Sequence, residues 1–235
     1  MKTLKWILCI LALLSTVFML FILPDTVPTH YNIKGEPDGF GSKYELLMFP
    51  VLLIVCSFAM DPLTKSYLSK ADDTDDEKEK AEHITNSKVL KVTAIVTMFL
   101  FFFMNIITLY STYAYVNPNS KLPEFDMLKG IGVIMGITLV VLGNFMTKTR
   151  NNANIGFRLS WTRYNDNTWN KSNRFASYVL MFAGAISAIC FFFFESTIAS
   201  ILSVIALMIA LPIIMIYAYI VYNNERKKDN ENNKE

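Results

Sequence analysis

The 235 residues would suffice for one or two soluble domains, but 53% of them are hydrophobic and only 18% charged. The apolar residues come in blocks that water would require to be buried on every side, and the polar remainder is too small to cover them, so the chain reads as a membrane protein. A formal net charge of +2 gives no footprint for direct nucleic-acid binding, and Cys9, Cys56 and Cys190, an odd set inside apolar runs without metal-ligand spacing, read as small hydrophobes.

A helix needs about 20 apolar residues to cross the hydrocarbon, and six stretches approach that length. The first, Trp6–Leu23, follows Lys2 and Lys5. No small-x-small cleavage site follows it, and Trp6-Ile7-Leu8 before Cys9 lacks the small residues of a lipoprotein box. It is expected to stay as a helix. The loop Leu23–Lys43 is stiffened by Pro24, Pro28 and Pro37, while Gly35, Gly39 and Gly41 supply positions open to positive φ, so a compact structure is expected there. His30 with Asp25, Glu36 and Asp38 has the chemistry of a divalent-metal site, but one histidine without a second nitrogen or sulfur ligand favours hydrogen bonding within the loop. No metal or cofactor is expected.

The second stretch, Leu46–Met60, is the shortest. Pro50 sits where a first helical turn tolerates it, and the span gains length from Tyr44 and Glu45 and from the turn after Asp61. Residues 1–60 thus form a two-span unit. A charged connector, 61–91, follows; its segment Ala71–His83 has mixed charge and no apolar stripe, which describes a solvated helix or linker. The region 92–222 carries four more spans. In Val92–Val116, Asn105 is the only strongly polar side chain deep in a span. In Gly130–Thr147, Gly132 and Gly136 have the spacing of close helix packing, within the bundle or between subunits. Phe175–Phe194 and Thr197–Tyr222 complete the set, and the charged, Asn-rich tail 223–235 is expected to be disordered.

Between the fourth and fifth spans, residues 143–174 mix Arg and Trp with Asn and Thr. Arg158 suits a lipid phosphate, a carboxylate or an aromatic face. Trp161 and Trp169 would bury in the membrane interface, and Asn165 or Asp166 would cap the next helix. A positively charged anchor with an aromatic belt accounts for the same residues.

Of the 22 Lys and Arg, all but Lys34, Lys43, Lys121 and Lys129 fall on the side of the termini. Basic residues accumulate in cytoplasmic connections. The fold class is therefore all-α, a polytopic bundle of about six transmembrane helices in a cell membrane, N-in and C-in, in contact with membrane lipid.

Gly143-Asn144, Asn152, Ile155-Gly156-Phe157-Arg158, Trp161-Thr162, Trp169 and Arg174 together resemble the SdpI family of bacterial membrane proteins. Leu23-Pro24, Pro28-Thr29-His30, Gly35 and Asp38, with Lys43 beyond, are similar to a small domain of unknown function that often precedes it. The family often has Thr-Pro after the arginine, where this chain has Leu159-Ser160. It usually has Thr-His before the closing arginine, where this chain has Ser172-Asn173. The resemblance implies immunity against a secreted, membrane-active peptide toxin, with the motif residues as the working set. It also implies signalling, by holding a cytoplasmic transcriptional repressor at the membrane. The competing expectation is transport of a small solute or peptide, against which stand spans free of ionisable interior groups and the want of an inverted repeat of broken helices. No nucleophile–base pair, zinc-type His/Glu motif or phosphate-cradling loop points to an enzyme.

Overall fold

The computed structural model describes residues 2–120, 126–152 and 154–232; Lys121 and Lys234, counted above for orientation, lie outside them. Among the described residues six helices are long and apolar enough to cross a membrane, and the protein is a multi-pass α-helical membrane protein. They are α1 (Lys2–Ile22), α2 (Met48–Asp72), α3 (Glu77–Val116), α4 (Met127–Met146), α5 (Asp166–Phe193) and α6 (Ser196–Asn232). Between α1 and α2 a two-stranded antiparallel hairpin is formed by β1 (Thr26–Tyr31) and β2 (Pro37–Ser42).

In sequence order the helices alternate in direction, so the bundle has one end with both termini and an opposite end with the hairpin. One group is α1, α2 and α3; the other is α4 and α6 packed on either side of α5. The groups meet mainly along α3 and α4. The first group closes around Leu8, Ala12, Leu53 and Met98. Within this apolar layer Thr16 donates to Asn105 Oδ1 at 3.1 Å, and Asn105 Nδ2 reaches Ser15 Oγ at 3.4 Å. The polar side chain deep in the third span is thereby paired, which hydrocarbon demands of a buried amide.

The α4–α5 contact is close because glycines face the other helix along it: Gly136 and Gly184 bring the two backbones together, and Gly132 makes room for the Phe191 ring. A β-carbon at Gly136 would meet backbone atoms of Gly184 and Ala188 at 2.6 Å, and one at Gly184 would meet Leu139 Cβ at 2.7 Å. The glycine pair Gly132 and Gly136 therefore packs within the bundle, where small residues let two backbones approach.

Three helices run past their expected ends. Pro62 removes one backbone donor from α2 but does not stop it; the helix continues to Asp72 with Tyr67 and Ala71 buried. Asp76 caps α3, accepting from Lys78 N at 2.8 Å, and the connector 61–91 is thus two helical extensions joined by a short turn. With 40 residues α3 spans roughly 60 Å, about twice the hydrocarbon thickness. The tail expected to be disordered instead continues α6 through Asn232. Its Glu225 is buried and paired with Lys171 (3.2 Å) and Lys228 (3.4 Å), and Tyr164 donates to Asp229 at 2.8 Å. These contacts supply tertiary support that composition alone does not reveal.

Candidate functional site

The residues singled out in the sequence gather at the two ends of the bundle, far apart along the helices. At the hairpin end, Leu23 and Val27 are buried with Leu46 and Leu109, which fastens β1 to the tops of α1 and α3. The turn is built by Asn32, whose side-chain oxygen accepts from the backbone of Lys34 (2.9 Å) and Glu36 (3.1 Å). Gly35 follows at φ +82°, a conformation that favours glycine. Gly39 and Gly41 do not take positive φ as expected. They are strand residues paired with His30 and Val27, and they are small for space: a β-carbon on Gly39 would lie 2.9 Å from His30 Cβ. His30 Nδ1 lies 2.5 Å from Asp38 Oδ1, Asn32 donates to Glu36, and Asp25 pairs with Lys43 at 3.1 Å. The four possible metal ligands are thus spent on separate local contacts, and no group of three His, Cys, Asp or Glu suited to a metal occurs among the described residues. Pro24 is exposed at the strand entry and Pro28 is buried.

The hairpin is also tied to the second helix group. Thr197 Oγ1 donates to Ile33 O at 3.4 Å, and Gly35 lies against Asp126, the residue that caps α4 and accepts from Ser196 at the start of α6. It therefore bridges both halves of the bundle from one end.

At the other end, residues 147–152 and 154–165 fold into a knot around four buried side chains. Asn152 uses both ends of its amide. Its Nδ2 donates to Arg150 O (2.6 Å) and Ile155 O (3.0 Å), while its Oδ1 accepts from Asn154 N (2.8 Å), Ile155 N (2.7 Å) and Tyr67 OH (3.1 Å). Asn173 does the same for the next stretch, accepting from Phe157 N at 2.7 Å and donating to Trp169 O at 3.3 Å. Thr162 links Phe157 and Leu159 through its hydroxyl. Trp169 is fully buried, with Nε1 donating to Thr149 O at 3.1 Å. Gly156 stands at φ +109°, and a β-carbon there would fall on the Asn173 side-chain oxygen and 3.1 Å from the Trp169 ring.

One expectation changes here. Trp169 does not present its ring to lipid; it is buried at the centre of the knot, since the fully satisfied indole can be taken out of water at no loss of hydrogen bonding. Trp161 is half-buried and packs edge-on against Tyr219 of α6. Of the two expected caps, Asn165 takes the role at the start of α5, accepting from Thr168 N at 2.8 Å. Asn173, which departs from the family pattern, is no gap but an anchor.

Of the remaining motif residues, Gly143 is pressed against Met181 and Ser177 of α5, while Asn144 is exposed. Arg158 is exposed at the rim of the knot, close enough to Tyr67 to act on its hydroxyl electrostatically. Arg174 faces outward, donating from Nε to Tyr178 OH at 3.1 Å. Sequence reasoning missed Tyr67 and Asn86. The first reaches Asn152 and Asn154 from α2, and the second, buried in α3, accepts from Arg150 N at 2.9 Å. Both sit in helix extensions whose existence no apolar run signals.

Residues 148–221 match the model of the SdpI/YfhL protein family, and residues 7–54 match a domain of unknown function, DUF1648. The chain carries an SdpI-family domain behind an N-terminal DUF1648 unit. The SdpI-family segment begins at the knot and ends in α6; the DUF1648 segment holds α1, the hairpin and the start of α2. Over 218 residues the chain is 28% identical to a protein named Immunity protein SdpI from Bacillus subtilis, covering 92% of this chain and 93% of that one. It is also 46% identical over 43 residues to an uncharacterized protein of Archaeoglobus fulgidus, 18% of this chain and 24% of the other. No solved structure matches.

Proposed function

We infer that the protein is a membrane immunity protein, which protects the cell that makes it from a secreted, membrane-active peptide toxin. The observation that carries this reading is the likeness to Immunity protein SdpI along almost the whole of both chains, hairpin and knot included. The orientation that goes with it puts both termini in the cytoplasm, as the distribution of Lys and Arg favours, and leaves the hairpin outside. A toxin approaching from there meets the exposed edge of the hairpin, with His30 and Asp38, and the neighbouring helix ends. Between α1 and α3 at that end runs a groove of about 560 Å³ lined by Phe18, Ile22, Tyr110 and Tyr113 among others, suited to an amphipathic peptide. Bound toxin would be kept from assembling into a pore.

The knot serves this reading as the clamp of the opposite face. Asn152, Gly156, Thr162 and Trp169 hold that face in one shape, while Asn144, Arg158, Trp161 and Arg174 line its surface. That surface is the one a cytoplasmic transcriptional repressor would meet, should signalling accompany protection.

Survival of a sensitive bacterium under secreted membrane-active peptides, with and without the protein, tests the reading. Protection by the wild type, lost in Arg158→Ala at equal membrane abundance, is the expected result. Unchanged survival under every toxin tried, with the protein inserted, would sink it.

A further inference from the structure

At the end of the bundle that holds the termini, α1, α2 and α3 enclose a cavity of about 290 Å³ that neither the hairpin nor the knot uses. Three ammonium groups and one carboxylate line it: Lys5, Lys65, Lys91 and Asp61. Lys5 is only 5% exposed. Its Nζ is paired with Asp61 and lies 3.4 Å from Ser57 O, so its charge is met from within the protein. Lys65 and Lys91 have no acceptor among the described residues, yet both border the same space. The lining therefore carries two positive charges in excess at the edge of a membrane-spanning bundle, Lys65 at its exposed rim and Lys91 half-buried, where a nearby anion is favoured.

The rest of the wall is apolar except for Thr64, whose hydroxyl is already spent on Met60 O, and apart from Leu68 its apolar residues lie on the deep side of the lysines. Along α3, Ala94 and Ile95 lie one turn deeper into the span than Lys91; on α2, Met60 lies deeper than Lys65. A ligand that satisfies the whole cavity is anionic at the shallow end and hydrocarbon at the deep end. We propose that this cavity is a binding site for an anionic phospholipid, with the headgroup phosphate between Lys65 and Lys91 and an acyl chain running inward past Ile95. Asp61 has a part in selectivity. By neutralising Lys5 it leaves Lys65 and Lys91 as the two charges a headgroup meets, and it orients Lys5 as the fixed floor of the headgroup pocket.

The test uses the purified full-length protein in neutral detergent, stripped of lipid, with binding read by native mass spectrometry and by the thermal midpoint. Phosphatidylglycerol, phosphatidylcholine and inorganic phosphate are the three probes. Saturable retention of phosphatidylglycerol with a rise in midpoint is expected, with phosphatidylcholine and inorganic phosphate at least tenfold weaker. A Lys65→Gln/Lys91→Gln variant should lose at least tenfold in phosphatidylglycerol affinity, whereas Lys80→Gln, which removes a charge from the same end but outside the cavity, should bind as the wild type does. If the double variant folds poorly, Lys65→Gln alone, at an exposed position, gives the same reading. Equal retention of the zwitterionic lipid, stabilisation by inorganic phosphate alone, or an equal loss in Lys80→Gln would each overturn the proposal.

Discussion

The hairpin and the knot are of similar length and both rich in polar residues, yet they are built in opposite ways. In the hairpin the backbone satisfies itself across a two-stranded ladder, and the charged side chains are left outside in isolated pairs such as His30 with Asp38. In the knot the backbone has no ladder to join. Its amides and carbonyls are instead met by buried side chains, Asn152, Thr162, Asn173 and Trp169, which come from three separate stretches. A buried loop without such partners would leave several polar groups dry, each costing about 1–3 kcal/mol. The knot is therefore cooperative, and the hairpin is tolerant.

Gly156→Ala should break the knot most severely. It combines a backbone conformation closed to alanine with a β-carbon placed on Asn173 and against Trp169. Strain and overpacking together should cost roughly 3–5 kcal/mol, seen as a large fall in the thermal midpoint in detergent and in membrane abundance. A fall of less than about 1 kcal/mol would mean that the knot opens readily and that its hydrogen bonds are not cooperative.

Asn152→Leu keeps the volume but strips five hydrogen bonds from Arg150, Asn154, Ile155 and Tyr67. A loss of about 3 kcal/mol is expected, and Tyr67→Phe, which removes the bonds to Asn152 and from Asn154, should cost about 1–2 kcal/mol. Measured as a double-mutant cycle, the two changes should be strongly non-additive, since they share one hydrogen bond. Additive losses would show that α2 does not hold the knot.

This contrast also explains what the sequence could tell. Six spans follow from apolar runs, because hydrocarbon leaves a helix no alternative, and all six are there. The compactness of the hairpin was legible from its prolines and glycines. Which glycine turns, Gly35, and which merely make room, Gly39 and Gly41, depends on cross-strand neighbours that no local rule supplies. At the knot the same limit bites harder. Trp169 looks like an interfacial tryptophan by its position beside a span, and only its hydrogen bond to Thr149 O shows why it can be buried. Tyr67 and Asn86 belong to helices that outrun the apolar signal, as does the tail to Asn232, because tertiary contacts and not hydropathy sustain those turns.

Gly35→Ala probes the hairpin in the way that Gly156→Ala probes the knot, with a milder outcome. Its φ of +82° is unfavourable for alanine, but the nearest atom to a β-carbon is Asp126 Oδ1 at an ordinary 3.4 Å. Only the backbone term remains, about 1–2 kcal/mol. A cost equal to that of Gly156→Ala would mean that the bridge from hairpin to α4 is as cooperative as the knot.

The smallest effect on stability is expected for His30→Ala. The side chain is 72% exposed and its contact with Asp38 lies at the surface, where such pairs contribute from nothing to about 1 kcal/mol. The thermal midpoint should hardly move, and for that reason the variant separates two tasks for the hairpin. If toxin meets this edge, His30→Ala will lower protection while membrane abundance and melting stay at wild-type values, which no purely structural role can produce. If protection is retained in His30→Ala and in Asp38→Asn, but lost in Gly35→Ala, the hairpin acts through its tie to Asp126 and Thr197. It would then clamp the two helix groups from one end as the knot clamps them from the other, and the surface that recognises toxin would have to be sought on the helix ends beneath it.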